Sequence, residues 1–363
     1  MLTLLLVLLL ALVFVYINGF HDTANSIATV VSTRALSPRA AIVLATVTNL
    51  AGALVGVAVA ETMAHGLVQA QFVSLQTILC ALVGAIVWDL ITWWRGLPTS
   101  SSHALVGGLC GAVLASAQNH WQAITWVASA PGPWWQANGV APKVILPMLV
   151  SPLIGFVVAF LVSSLLYLGL RSWVLDRVDT VFGKLQIVSA GFMGFEHGHN
   201  DAQKTVGVVL LALLAAAKAG SLEHLPGWLG FLRIAPGTAD QELPVPLWLR
   251  FTCAVVLAAG TAAGGWRIMR TLGHRLADLK PIHGFAAETT AAGVLSVAAF
   301  FGFPVSTTHT ITAAVAGVGA SRRFRAMHLN VVKKIAWAWL LTLPAAGLVA
   351  YAAVLLCQLA GWK

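Results

Sequence analysis

One polar arrangement occurs twice in a chain that is otherwise apolar, and this duplication limits the fold more than any other feature. Gly96-Leu97-Pro98-Thr99-Ser100-Ser101-Ser102-His103 returns as Gly302-Phe303-Pro304-Val305-Ser306-Thr307-Thr308-His309. Each copy follows an aspartate motif, Gly19-Phe20-His21-Asp22-Thr23-Ala24-Asn25-Ser26 in the first half and Gly198-His199-Asn200-Asp201-Ala202-Gln203-Lys204-Thr205 in the second. Two polar interruptions per half, in the same order, predict a duplicated membrane protein whose midplane site is assembled from broken helices.

Charge is too scarce for a soluble surface: 9% of the 363 residues are charged and 59% are hydrophobic. The apolar stretches approach the length of a helical span, so an all-α polytopic membrane protein is expected, embedded in lipid. Met1 to Ile17 has neither a basic start nor a small-residue cleavage site, and is read as a mature span instead of a secretion signal. Cys80, Cys110, Cys253 and Cys357 lie singly in apolar runs and are read as packing residues, with no metal centre. The net charge of +9 is spread over short loops, which points to membrane topology and away from nucleic acid.

Apolar segments fall at about 2–33, 40–60, 73–94, 100–117 and 142–170, and again at 185–215, 249–266, 284–301, 305–320 and 332–360. An odd number per half gives the halves opposite orientation, hence two inverted-topology repeats. Pro98 and Pro304 each divide two short arms, so 73–117 and 284–320 are expected to be re-entrant hairpins. The N-terminal repeat is placed at 1–170, a cytoplasmic linker at 171–184, and the C-terminal repeat at 185–363, with an extracellular loop at about 216–248. Arg34, Arg39, Arg95, Arg171, Arg177, Lys184, Arg267, Arg270, Arg275, Lys280, Arg322, Arg323, Arg325, Lys333 and Lys334 outnumber Lys143, Lys218, Arg233, Arg250 and Lys363, which puts both termini outside.

An ionised side chain at the bilayer centre costs about 2.5–3.5 kcal/mol, so Asp22, Asp201 and Lys204 require partners and mark a site. The hydroxyl runs Thr99, Ser100, Ser101, Ser102 and Ser306, Thr307, Thr308 open new helices. There, unpaired N–H groups and added O–H donors make an anion cradle, although ordinary capping explains one such run equally well. Carboxylates beside an anion call for a cation between them. Asp22, Asn25, Asn200, Asp201 and Gln203 suit a hard cation such as sodium, while His21, His197 and His199 suit protons. His103 and His309 are expected to brace the hairpins. Glu288 is a secondary candidate, and Asp89 is read as a partner for Arg95.

With these motifs, and with Gly284 to Thr290 and Lys333 to Pro344, the chain resembles the inorganic phosphate transporter (PiT) family over nearly its whole length. The resemblance implies phosphate import by symport with H+ or Na+ and no other cofactor, in the inner (plasma) membrane of a bacterium. It assigns the seven tip hydroxyls to the oxyanion and Asp22, Asn25, Asn200 and Asp201 to the coupling cation. The family's usual Gly-Ala-Asn-Asp core reads Gly-Phe-His-Asp and Gly-His-Asn-Asp here, which tilts coupling toward protons. A metal-phosphate complex is an alternative cargo, and the Gly- and Ala-rich helices are compatible with a homodimer. Rival readings are a sulfate carrier of the same fold, a passive channel, and a membrane-embedded metal-dependent phosphotransferase.

Overall fold

A computed structural model describes residues 1–128, 133–223, 225–234, 245–276, 279–322 and 329–362. The described residues form helices and turns, with a single isolated β-bridge between Val68 and Ile124. The first half comprises α1 (Leu2–Ser32), α2 (Pro38–Ala53), α3 (Ala58–His65), α4 (Leu75–Arg95), α5 (Ser101–Ser116) and α6 (Leu146–Gly169). The second comprises α7 (Leu175–Lys218), α8 (Leu247–Ala263), α9 (Trp266–Arg270), α10 (Pro281–Phe300), α11 (Thr307–Arg322) and α12 (Leu329–Leu359). Among the described residues, four helices are long and apolar enough to cross a membrane, or up to six if each bent pair counts as one span.

The order of elements repeats: a long helix, a bent pair, two antiparallel arms, then a long helix. The bends are 67° between α2 and α3 and 56° after α8, so 40–60 is two rods where sequence suggested one, while 249–266 is α8 with its bend at the far end. The halves also interlock. The first hairpin packs on α12 and the second on α6, while α1 packs on α8 and α7 on α2.

Local chemistry explains the helix ends. Ser37 caps α2 by accepting from the Ala40 N–H, with Pro38 opening the helix, and Ser74 with Thr77 forms a capping box on α4. The interior is largely apolar, and large apolar side chains also cover the outside. Leu149, Leu153, Leu165, Phe300, Leu348 and Leu359 are exposed, while Asp22, Asp89, Asp201, Lys204 and Glu288 are buried. Such a surface is suited to hydrocarbon.

Three expectations need revision. The aspartate motifs are not breaks, because α1 and α7 run through them as continuous helices. Neither motif contains proline, and Gly19 and Gly198 serve close packing instead. A methyl group at Gly19 would strike the backbone of α8 at Gly260 and Thr261, and one at Gly198 would strike that of α2 at Asn49. The stretch 171–184 is a short turn followed by the first residues of α7. Cys80 and Cys357 are not isolated, since their sulfurs lie 3.9 Å apart across α4 and α12. The loops after α5 and α7 hold short turns at Trp121–Ala123, Trp134–Gln136 and Gly227–Leu232. Arg323, Arg325 and Lys363, and the parts of these loops at 129–132, 224 and 235–244, lie outside the described residues.

Candidate functional site

Each hairpin turns at a left-handed glycine followed by proline: Gly96 at φ +66° before Pro98, and Gly302 at φ +67° before Pro304. Glycine adopts this conformation without a side-chain clash, and proline cannot continue the helix. Ser100 and Ser306 then cap the next helices, their Oγ atoms accepting from the backbone N–H of His103 (3.2 Å) and His309 (3.1 Å). For these two hydroxyls, capping is the observed role. The two helix starts meet. The rings of His103 and His309 stand edge to face with centroids 4.7 Å apart, and His309 stacks on Trp339 at 4.0 Å. The ring pair is thus a packing contact between the two tips.

The polar side chains of one half hold the tip of the other. Asn25 on α1 donates to Thr308 (2.9 Å) and Thr307 (3.4 Å), and Thr308 donates to Asp22 Oδ1 (3.4 Å). Lys204 on α7 donates to Asp201 Oδ1 (2.5 Å), to Ser102 (2.6 Å) and to the Val305 carbonyl (2.7 Å). Thr307 and Asn18 donate to Asp201 Oδ2 at 3.3 and 3.4 Å. Each aspartate also has an imidazole. His21 Nδ1 lies 2.6 Å from Asp22 Oδ1, and His197 Nε2 lies 3.1 Å from Asp201 Oδ2, an ion-pair distance without hydrogen-bond alignment. One donor atom each from Asp22, His197 and Asp201 falls within 4.8 Å of the others, a separation one cation could bridge. Asp22, Asp201 and Lys204 are at most 2% exposed, so solvent cannot neutralise them.

Other expected residues stand apart from this cluster. Thr99 turns away from the tip, donating to Thr92 (2.8 Å) beside the Nε2 of His21. Asn200 donates to the Leu295 carbonyl of α10 (3.2 Å). Gln203 does not reach the aspartates. It holds the α2–α3 bend, accepting from the Val59 N–H (3.0 Å) and donating to the His199 carbonyl (2.7 Å). His199 faces Glu196 at 3.3 Å, and His197 is fixed by Asn49. Glu288 forms a separate buried cluster, accepting from Thr29, Ser189 and Gln186.

Asp89 overturns the proposed pairing with Arg95. Because α4 stays helical through Arg95, residues six apart point about 120° away from each other around the helix and lie about 9 Å apart along it, so they cannot meet. Asp89 instead points inward, fully buried, within electrostatic reach of His21, Asp22, Asp201 and the Ser101 hydroxyl. Sequence reading also passed over Asn18, Asn49 and Thr92. Helical spacing held the signal, because Asn18 lies one turn before Asp22, and Asp89 and Thr92 share a face pointing toward the tip.

The profile of the "Phosphate transporter family" matches residues 18–350. The chain belongs to the phosphate transporter family. A protein of Rhizobium meliloti named "Probable low-affinity inorganic phosphate transporter" is 41% identical over 345 residues, covering 93% of this chain and 92% of its own. One of the same name from Mycobacterium bovis is 41% identical over 346 residues, covering 95% of this chain and 75% of its own. A solved structure called "The sodium-dependent phosphate transporter" superposes with a TM-score of 0.79 at 23% identity, covering 99% of this chain and all of its own, a likeness of fold. Members of the phosphate transporter family are transporters, not enzymes, which removes the phosphotransferase reading, and this member is an integral membrane protein.

Proposed function

We propose that this protein imports inorganic phosphate across the membrane by symport with a proton or sodium ion. One observation carries the reading: Thr307 and Thr308 of one tip bond the aspartates of both long helices, and Ser102 of the other tip joins them through Lys204, in a single buried cluster. Family membership supports phosphate as the cargo. The starts of α5 and α11 direct N–H groups and partial positive charge toward the tips, where the hydroxyls of Ser101, Ser102, Thr307 and Thr308 add donors.

Charge balance gives the coupling. Asp22, Asp89 and Asp201 are three buried carboxylates, and Lys204 is the one buried ammonium beside them. An anion entering this core adds to the excess of negative charge, so cations must come with it. The imidazole on each aspartate favours protons, because His21 and His197 can take up the charge that an added cation would otherwise supply. The two halves act as inverted repeats with both termini outside, and they exchange the cluster between the membrane faces by rocking against each other. The matching element order and the cross-held tips support this arrangement.

Protein reconstituted in vesicles should accumulate labelled phosphate above the outside concentration when an inward pH or sodium gradient is imposed. The gradient that drives accumulation names the ion. Asp22→Asn should abolish accumulation while the protein remains folded in the bilayer. Equal uptake with both gradients collapsed would identify a channel and end the symport reading.

A further inference from the structure

A tip lined with hydroxyls binds any tetrahedral oxyanion, so some other group must separate phosphate from sulfate. The chemical difference is a proton: at neutral pH phosphate carries at least one O–H, and sulfate carries none. A buried acceptor with no protein donor reads that difference, because an anion without a proton leaves the acceptor unpaired beside like charge.

The aspartates of the duplicated motifs are already engaged. Asp22 Oδ1 takes His21 and Thr308, and Asp201 takes Lys204 on one oxygen and Asn18 and Thr307 on the other. Asp89 differs. Among the described buried carboxylates it alone leaves both oxygens without a hydrogen-bond partner, and the hydroxyl of Ser101 is unpartnered too. Ser101 is the first residue of α5, and its hydroxyl is a donor beside Asp89 that stops short of the geometry of a formed hydrogen bond. An unpaired carboxylate is costly in a dry interior and needs an explanation. His21 does not supply one, since its ring nitrogens go to Asp22 and Thr92.

We propose that Asp89 is the specificity-determining residue of the tip, accepting a hydrogen bond from the O–H of a protonated tetrahedral oxyanion seated at Ser101 and so admitting hydrogen phosphate while rejecting sulfate. The proton stays on phosphate, and no covalent bond changes. The inference rests on the phosphate reading above.

The experiment is competition against labelled phosphate uptake in vesicles, using unlabelled phosphate, hydrogen arsenate, sulfate and monofluorophosphate. Monofluorophosphate is a tetrahedral dianion of similar size that carries no proton at neutral pH. In the wild type, arsenate should compete like phosphate, while sulfate and monofluorophosphate should be at least about a hundredfold weaker. Asp89→Asn puts an N–H donor where the carboxylate was. It should reduce the sulfate-to-phosphate discrimination at least about tenfold and leave the arsenate-to-phosphate ratio unchanged. A purely structural role would weaken all four anions together. If the amide variant is not recovered folded, Asp89→Ser gives the same readout. Monofluorophosphate competing like phosphate in the wild type overturns the proposal, as does unchanged discrimination in a folded variant. No phosphate uptake by the wild type would instead refute the phosphate reading itself.

Discussion

The contact between Lys204 and Asp201 allows the sharpest energetic test. Lys204→Met keeps the length of the side chain but removes its charge, leaving Asp201 as a buried anion and the Val305 carbonyl without its ammonium donor. Breaking a buried ion pair from one side costs about 3–5 kcal/mol. Asp201→Asn breaks the same pair from the other side and should cost a similar amount, because Lys204 then faces only neutral oxygens and loses its counter-charge. If the two losses were independent, the double variant would lose about 6–10 kcal/mol. It should lose only about 1–3 kcal/mol, since neither charge remains and what is missing is ordinary hydrogen bonding. Thermal unfolding in detergent, followed by tryptophan fluorescence, gives the comparison. Each single variant should melt several degrees below the wild type, and the double variant should recover most of that loss. If the double variant's decrease equals the sum of the single decreases, the pair is not coupled and the arrangement described for the tip is wrong.

Other outcomes follow from the same geometry. Gly198→Ala should destabilise the protein by about 1–3 kcal/mol because a methyl group there meets the backbone of α2. Gly293→Ala, where nothing lies within 4 Å, should leave the melting temperature unchanged or raise it slightly. An added disulfide oxidant should join Cys80 to Cys357 within one chain, read as two thiols lost from a labelling count, and Cys80→Ser should prevent that loss.

Much of this architecture is legible in the sequence because membrane spans announce themselves by length. All the expected apolar segments became helices, and Gly-x-Pro located both hairpin turns. The duplicated motifs gave Asp22, Asn25, Asp201, Lys204, Ser102, Thr307 and Thr308, which the fold brings together. Hydroxyl direction was not legible. Thr99 and Thr307 both lie in the polar run after a proline, yet one turns toward Thr92 and the other toward Asp201, a choice made by neighbours far away in the chain. Gln203 appeared to be an oxygen ligand because it neighbours Asp201, but on a continuous helix residues two apart face away from each other. Asp89 was misread for a related reason: its partner was sought along its own helix, when the groups around it, His21, Asp22 and Ser101, belong to other helices.

Because Ser102 is fastened by Lys204 and Thr308 by Asn25, each tip answers to a residue from the other half of the chain. The two halves therefore cannot drift apart in sequence independently, and a chimaera that borrows one half from a relative must inherit matching contacts or lose its pocket. Duplication supplied two similar pieces; the crossed fastening makes them a single evolving unit.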